Sequence, residues 1–309
     1  MLSKRWFLVL ATAAAPILWG TTYFTTTTFL WEGHPLLTAT LRALPAGVVL
    51  LCVGRRLPPG AWWWKSAVLG VLNIGVFFAL LFIAADRLPG GVAAVVGGIQ
   101  PLLIAALASR VLSERVNRGV LAAGAGGFVG VALIVLRSQA GLDPIGVAAA
   151  VVGAVSMAIG VVLTRKWSDG QSPIATTSWQ LIAGGLFLAA LTAVFEPLPS
   201  LAPSLSNIAG YTYLSLIGTA LAYLLWFRGI KLLPTHIPAF LGLLSPIVAL
   251  TIGIVAANET LTWVQSVGVT LVFASVTMVV ASPTRPAGRK LSRQLTPDPW
   301  RGRSRTMRR

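Results

Sequence analysis

The sequence contains very few of the residues from which enzymes build catalytic and metal sites. Among 309 residues there are one cysteine, two histidines and eight acids, and charged residues make up only 10% of the chain. The lone cysteine, Cys52, excludes an intramolecular disulfide and any metal site that needs paired cysteines. No histidine, cysteine and carboxylate cluster suits a metal, and no serine, histidine and acid lie together in one region. We therefore expect neither an enzyme activity nor a cofactor.

Apolar residues, in contrast, make up 56% of the chain. Soluble domains carry about a quarter charged residues, so this chain could not coat a surface that faces water. The formal net charge of +16 suggests nucleic acid at first sight, but nine of the 24 lysines and arginines follow Ser282. Most of the others lie between apolar segments, as in proteins attracted to the anionic cytoplasmic face of a membrane. We expect the lipid bilayer, and not nucleic acid, as a partner.

Ten apolar segments approach the length of about 20 residues that a membrane-spanning helix needs. In chain order they are Trp6–Phe29, Leu36–Gly54, Ser66–Ala85, Val92–Leu112, Val120–Leu136, Ile145–Thr164, Ala175–Phe195, Ile208–Arg228, Ile237–Ala257 and Trp263–Ala281. Polar residues, prolines and glycines separate them. The sequence thus predicts an all-α, polytopic membrane protein with ten transmembrane helices.

The distribution of lysine and arginine predicts how these helices are oriented. With an even number of helices both termini lie on one side, and twelve basic residues before the tail then share that side. Only Arg87 and Arg137 would lie on the other side. Basic loops stay in the cytoplasm, so we predict a multi-pass protein of the bacterial inner (cytoplasmic) membrane with both termini cytoplasmic. Residues 283–309 are basic and poor in large apolar side chains, which predicts a disordered cytoplasmic tail.

Several residues recur at a fixed spacing in the two halves of the chain. An offset of 145 relates Pro89 to Pro234, Pro101 to Pro246 and Glu114 to Glu259. An offset of 138 relates Pro35 to Pro173 and Arg42 to Gln180. We predict a first repeat at residues 5–137 (helices 1–5) and a second at residues 143–282 (helices 6–10). Since each half has an odd number of helices, the two must cross the membrane in opposite directions, which is typical of transporters.

The residues that carry the repeat also carry a family resemblance over about residues 5–282. The matching marks are Trp19-Gly20, Pro35, Arg42, Pro89, Gln100-Pro101, Glu114, Gln180, Ser245-Pro246 and Glu259. In these the chain resembles the EamA-type family of the drug/metabolite transporter superfamily, and the run at 87–92 is similar to its PecM-like metabolite efflux subgroup. The resemblance implies ten helices, cytoplasmic termini and a central cavity lined by both halves. It also implies that the fifth helix of each half lies at the periphery.

Arg42 is the most informative single residue. It lies seven residues past Pro35, which is about 10 Å into the membrane along a helix. An arginine near the centre of a transmembrane helix costs about 2.5–3.5 kcal/mol on insertion scales, so it normally faces a cavity or a partner. One interpretation is an anion-binding or coupling residue, and the other is a side chain that extends to the outer membrane interface.

Two further pairs of repeat-related residues have alternative interpretations. Glu114 and Glu259 are candidates for proton coupling or a gating ion pair, or they are solvated residues at helix ends. Pro101 and Pro246 interrupt the fourth helix of each half, because proline removes a backbone hydrogen bond. They are candidate hinges, and a purely structural kink is the alternative.

Residues that are polar or aromatic with a polar tip are candidates to line a cavity for an amphipathic solute. The candidate substrate-binding residues are Trp19, Tyr23, Arg42, Asn73, Gln100, Trp179, Gln180, Tyr223 and Trp226. Asn73 has an alternative as an interhelical hydrogen-bond donor. The glycine series Gly124, Gly126, Gly127 and Gly130 allows close helix packing, within the chain or in a homodimer.

The sequence therefore predicts an exporter of a small organic metabolite, amino acid or drug, driven by a gradient because no ATP site is present. A lipid or lipid-linked sugar flippase of the same superfamily is one alternative. A membrane enzyme, or an assembly partner of one, is another.

Overall fold

A computed structural model describes residues 2–87, 98–114, 118–135, 143–167, 170–200, 202–257 and 261–281. Every regular element in these ranges is helical. The helices of the first half are α1 (Leu2–Gly20), α2 (Thr22–Phe29), α3 (Pro35–Gly54), α4 (Trp62–Gly70), α5 (Phe77–Arg87), α6 (Gln100–Val111) and α7 (Arg118–Val135). Those of the second half are α8 (Pro144–Trp167), α9 (Pro173–Phe195), α10 (Leu205–Ser215), α11 (Ala222–Leu232), α12 (His236–Leu241), α13 (Leu244–Ala257) and α14 (Trp263–Ala281).

Seven helical stretches in these ranges are long and apolar enough to cross a membrane, and α6 and most of α7 form shorter apolar helices. The chain is thus an all-helical membrane protein. Several predicted spans agree closely with observed helices: the predicted Trp263–Ala281 has the bounds of α14, and the predicted Leu36–Gly54 differs from α3 by one residue. The predicted tail and most of the first turns of the predicted Val92–Leu112 lie outside the described residues.

Two predicted spans are interrupted. The first breaks into α1 and α2 at Thr21, whose hydroxyl donates a 2.7 Å hydrogen bond to the Leu18 carbonyl oxygen. A threonine that bonds back to its own helix in this way bends it. The ninth breaks into α12 and α13 at Gly242. Each of these four helices is therefore shorter than the apolar segment from which it was predicted.

Two π-helical turns occupy matching places in the two halves. Val71–Val76 joins α4 to α5, and Leu216–Leu221 joins α10 to α11, so that the two turns are 145 residues apart. The same offset relates the first residues of α7 and α14. A π turn inserts an extra residue in the helix and is frequent at functional sites.

Helices α3 and α9, which begin 138 residues apart at Pro35 and Pro173, pack against each other through two glycines. A methyl group added at Gly47 would lie 2.8 Å from the Ile182 backbone nitrogen, and one at Gly185 would lie 2.9 Å from the Leu44 Cα. Gly47 and Gly185 are 138 positions apart, and so are the residues that they meet, Leu44 and Ile182. The contact is therefore reciprocal, as expected at a two-fold axis.

Helices α7 and α14 form a second close pair. A methyl group at Gly130 would lie 2.8 Å from the Gly268 carbonyl oxygen, and one at Gly268 would lie 2.6 Å from the Gly130 carbonyl oxygen. The predicted glycine series thus packs inside this chain: Gly124 faces Leu102, and Gly127 faces Leu243. The homodimer stays a prediction.

Candidate functional site

Arg42 lies in the middle of α3 and is buried, with 5% of its surface exposed. Its Nε donates a 3.1 Å hydrogen bond to the Thr219 hydroxyl, and its Nη2 donates one of 3.3 Å to the Gly218 carbonyl oxygen. Both acceptors belong to the π turn Leu216–Leu221 of the other half. In the described chain the guanidinium is thus turned inward and is not extended to a membrane interface.

The faces of aromatic rings complete the surroundings of Arg42. Its guanidinium carbon lies 4.8 Å from the centroid of the Phe78 ring, within the range of a cation–π interaction. The Phe78 ring is 6.3 Å from that of Tyr223, which is its counterpart at the offset of 145. Both rings are buried. The charge therefore lies where the two halves of the chain meet.

Trp19 and Trp226 continue this cluster on α1 and α11. The Trp19 ring lies 5.0 Å from both the Tyr223 and the Trp226 rings, and Tyr223 also contacts Phe227 at 5.6 Å. The structure thus brings four of the predicted site residues together in one aromatic cluster, here called the central cluster: Trp19, Arg42, Tyr223 and Trp226, with Phe78.

Two buried polar atoms of this cluster, the indole nitrogens of Trp19 and Trp226, have no hydrogen-bond partner in the described residues. The same holds for the buried hydroxyls of Thr22 and Ser215. An unpaired buried donor costs about 1–3 kcal/mol, so buried polar atoms of this kind normally pair with protein, ordered water or a ligand. The two indole N–H groups can only donate, so their partner must supply an acceptor.

Gln180 makes a contact that mirrors that of Arg42. It lies 138 positions after Arg42, in α9, which begins with a proline and a serine cap at Ser172. Its Oε1 accepts a 2.8 Å hydrogen bond from Asn73 Nδ2, and Asn73 belongs to the π turn of the first half. Asn73 Nδ2 also donates to the Thr164 hydroxyl at 3.0 Å. Two repeat-related residues, Arg42 and Gln180, thus each bond to the π turn of the half to which they do not belong.

The other predicted site residues lie elsewhere. The Trp179 indole donates a 2.7 Å hydrogen bond to the Arg56 carbonyl oxygen and packs 5.6 Å from the Trp62 ring, apart from the central cluster. Gln100 is the first residue of α6 and is partly buried. The side chain of Tyr23 and the whole of Glu259 lie outside the described residues. These two stay predictions.

Both candidate hinge prolines stand at the start of a helix and not inside one. Pro101 is the second residue of α6, and Pro246 is the third residue of α13. Proline is well tolerated in the first turn, because the N–H that it lacks has no partner inside the helix there. Turns at residues 98–99 and 242–243 precede these two helices. The hinge role stays a prediction.

Glu114 holds the chain segment that begins α12. Its carboxylate accepts a 2.8 Å hydrogen bond from the Thr235 hydroxyl and one of 3.2 Å from the Thr235 backbone nitrogen. The His236 ring lies 3.8 Å from it. Burial alone would raise the pKa of this carboxyl, but the hydrogen bonds and the histidine outweigh it and hold the pKa below its ordinary value. Glu114 thus links the end of α6 to the start of α12 through Thr235 and His236, and these contacts are called the Glu114 clasp below.

A second glutamate holds the first turn of α3 through hydrogen bonds to its backbone. Glu196, directly after α9, accepts hydrogen bonds from the Leu36 nitrogen at 2.7 Å and the Leu37 nitrogen at 3.2 Å, and lies 3.5 Å from the His34 ring. An anion at a helix N-terminus satisfies free N–H groups and the helix dipole. This contact was not predicted from the sequence. Two signals could have suggested it: His34 precedes the proline that begins α3, and Glu196 ends an apolar segment.

A lateral cavity of about 640 Å³ lies between α2, α10 and α13. Its walls include Phe24, Phe29, Ile252 and Val255, of which Val255 is 76% exposed. The hydroxyls of Thr25 and Thr251 in the lining are bonded within their own helices, and that of Thr21 pairs with the Tyr213 hydroxyl at 2.9 Å. The cavity therefore presents a mainly apolar surface on the outside of the helix bundle.

Comparison with known families gives a match to the EamA-like transporter family in two segments, residues 6–136 and 144–281. The chain belongs to the EamA-like transporter family. The two matched segments agree within a few residues with the predicted repeats. Arg42 lies in the first matched segment, and Gln180 lies in the second.

Individual relatives of this EamA-like chain agree with that assignment. It is 45% identical to the protein PecM of Dickeya dadantii over 86% of this chain and 89% of the relative. It is 28% identical to the uncharacterized inner membrane transporter YedA of Escherichia coli over 88% and 90%. One crystal structure shares its fold at 21% identity, with a TM-score of 0.77 over 88% of this chain and 96% of the other.

The contacts of Glu114 in this EamA-like chain predict how Glu114→Gln changes stability at different pH values. Because the native pKa is lowered, the carboxylate stabilises the fold above its unfolded value of about 4.3, and this contribution is lost as pH falls through the native pKa. We expect the variant to be less stable by about 1 kcal/mol near neutral pH, and this difference should shrink at acid pH, as the pH falls below about 4.3. Thermal unfolding of detergent-purified protein at both pH values measures this.

Glu32→Gln is the matched control, because Glu32 is exposed and makes no described contact. It should behave as the wild type at both pH values. If Glu114→Gln lost equal stability at neutral and acid pH, the ionised carboxylate would not be the source of the clasp.

Proposed function

We propose that this chain exports a small organic metabolite, amino acid or drug across the bacterial inner membrane by alternating access, driven by a gradient. The observation that carries the proposal is the pair of mirrored contacts at the centre. Arg42 bonds to Gly218 and Thr219 of one π turn, and Gln180 bonds to Asn73 of the other. Such contacts join two halves that can change their relative packing around one site.

The proposal includes ten membrane-spanning helices in two inverted repeats, at residues 5–137 and 143–282. In this arrangement α1 with α2, α4 with α5, α10 with α11 and α12 with α13 each form one span. The offsets of 138 and 145 between helix starts and the reciprocal glycine contacts support it. Because each repeat has five spans, equivalent loops would lie on opposite faces of the membrane, and both termini would be cytoplasmic.

The two repeats provide a route to alternating access. In the proposed orientation the Glu114 clasp lies on the cytoplasmic side, and its repeat counterpart Glu259 lies on the outer side. Pro101 and Pro246 follow the turns at residues 98–99 and 242–243. Hinge motion at a helix end costs least, because the backbone groups there have no partner inside the helix. Opening of one side with closure of the other then exposes the central cluster to each face in turn.

The driving force is proposed to be a solute or proton gradient. In the described residues the buried charged residue is Arg42, with no buried carboxylate beside it. Proton coupling would use the carboxylates of Glu114 and Glu259, whereas exchange of one solute for another needs no titratable residue. We therefore propose facilitated exchange as the simplest mode, with proton coupling as the variant to be tested.

A lipid or lipid-linked sugar flippase is the second candidate, because the lateral cavity between α2, α10 and α13 is apolar and opens on the outer surface of the bundle. A lipid would need such a lateral opening for its chains. The central cluster favours a soluble solute instead, because its unpaired polar atoms are buried and none of its residues lines that cavity.

Reconstituted vesicles distinguish the two candidates. We expect saturable counterflow of at least one radiolabelled solute from a panel of organic acids, amino acids and pigments, and none in protein-free vesicles. Ionophores that collapse the proton gradient separate coupled transport from exchange. Fluorescent lipid translocation without counterflow of any solute would favour the flippase and contradict the proposal.

A further inference from the structure

Arg42 is a buried cation that has no anionic partner among the described residues. The ion pairs found among the described residues join His34 to Glu196, Arg87 to Asp143 and His236 to Glu114, and none involves Arg42. Its two hydrogen bonds go to a neutral hydroxyl and a neutral carbonyl. An unpaired charge inside a membrane is costly and is normally compensated. The guanidinium group is therefore suited to pair with an anion.

The guanidinium group also has donors to spare. It carries five N–H groups in a planar fork, and the two hydrogen bonds in the structure are made by Nε and Nη2. A fork of this kind binds a carboxylate through two parallel hydrogen bonds. The Phe78 ring covers the guanidinium group at 4.8 Å. The remaining edge of the group is suited to a planar oxyanion.

The charge at this site fixes the charge of the ligand. Arg42 is the one lysine or arginine that is buried in the described ranges. A phosphate monoester carries close to two charges at neutral pH and would leave one of them uncompensated. The site therefore suits a solute with a single negative charge.

The two indole N–H groups add a second point of recognition. Trp19 and Trp226 lie 5.0 Å apart, ring centroid to centroid, and both indole nitrogens are buried without a partner among the described residues. Tyr223 contacts Trp19 and Phe78, and Phe78 in turn contacts Arg42. A second acceptor oxygen on a solute whose carboxylate is held by Arg42 would satisfy one of these donors.

We propose that the transported solute is a monoanionic organic carboxylate that carries a second acceptor oxygen on an apolar frame. Its carboxylate pairs with Arg42, and its second oxygen accepts from Trp19 or Trp226. This inference rests on the proposed transport function and narrows its substrate class. It assigns the two indole N–H groups and the single charge of Arg42 to substrate selection.

Competition binding with three matched probes tests the assignment. Phenylpyruvate has the carboxylate and a second acceptor, phenylpyruvamide lacks the charge, and 3-phenylpropionate lacks the second acceptor. Thermal stabilisation of the purified protein in detergent measures binding without requiring transport. We expect phenylpyruvate to bind at least about tenfold more tightly than the amide, because a charge-assisted hydrogen bond is lost.

Variants separate the two recognition points. Arg42→Gln should reduce the preference for acid over amide to near one, and Arg42→Lys should restore part of it. Trp19→Phe and Trp226→Phe should weaken the preference for phenylpyruvate over 3-phenylpropionate while keeping the preference for acid over amide. Trp179→Phe is the control and should change neither, because its indole N–H already bonds to the Arg56 carbonyl oxygen.

Equal or tighter binding of the neutral amide would overturn the inference, as would a preference for the acid that survives in Arg42→Gln. Vesicle counterflow keeps this failure distinct from failure of the transport proposal. Saturable flux of neutral solutes, not inhibited by phenylpyruvate, would leave transport intact and remove the anion assignment.

Discussion

Arg42→Ala should reduce solute counterflow in vesicles at least about tenfold while the protein still inserts in the membrane. The guanidinium contacts both Gly218 and Thr219 across the boundary between the two halves, and it is the buried cation beside the central cluster. Hydrogen bonds to a charged group contribute about 1.5–3 kcal/mol, and about 1.4 kcal/mol corresponds to a tenfold change. The initial rate at equal amounts of reconstituted protein measures the effect.

Arg110→Ala is the matched control for this prediction. Arg110 is an exposed arginine in the last turn of α6, so its loss should leave the rate unchanged. Arg42→Lys should give an intermediate rate, because it keeps the charge and loses the planar fork. If Arg42→Ala retained most of the wild-type rate in a folded protein, Arg42 would not belong to the transport site.

Gly130→Ala should clearly lower the stability of the pair formed by α7 and α14. The added methyl group would lie 2.8 Å from the Gly268 carbonyl oxygen, and a backbone atom cannot move aside as a flexible side chain can. The two helices must separate, and overpacking of this kind costs about 1–3 kcal/mol. Thermal unfolding in detergent should show a clear decrease in melting temperature.

Gly153→Ala is the control, since the nearest atom there, the Leu80 Cβ, would be at an ordinary contact distance of 3.4 Å. Alanine is a better helix former than glycine by about 1 kcal/mol, so this variant should be as stable as the wild type or more stable. A Gly130→Ala variant with wild-type stability would contradict the close packing of α7 on α14.

Part of this architecture follows directly from the sequence. Proline at the first helical position and the length of the apolar segments predict where α3 and α9 begin, and the offset of 138 relates them before any contact is known. The cost of a charge within an apolar helix limits Arg42 to two placements, at a cavity or partner or at the outer membrane interface. These features are local or periodic and need no knowledge of neighbouring helices.

Other features depend on contacts that a single chain pattern does not encode. A helix that packs on one side and meets lipid on the other is apolar all round, so periodicity does not indicate its inward face. For that reason Trp179 was predicted in the site although its ring packs on Trp62. The π turns at Val71–Val76 and Leu216–Leu221 likewise have no distinct sequence pattern. Their equal spacing became visible only with the structure.

The direction in which the two halves cross the membrane is the claim on which alternating access depends. Arg118 and Trp263 begin α7 and α14, lie 145 positions apart and are both exposed, so a cysteine at either position is accessible. In a Cys52→Ser background, a membrane-impermeant maleimide should label Trp263→Cys in intact cells. It should label Arg118→Cys only after the membrane is opened. Labelling of both cysteines from the same side would contradict the inverted arrangement.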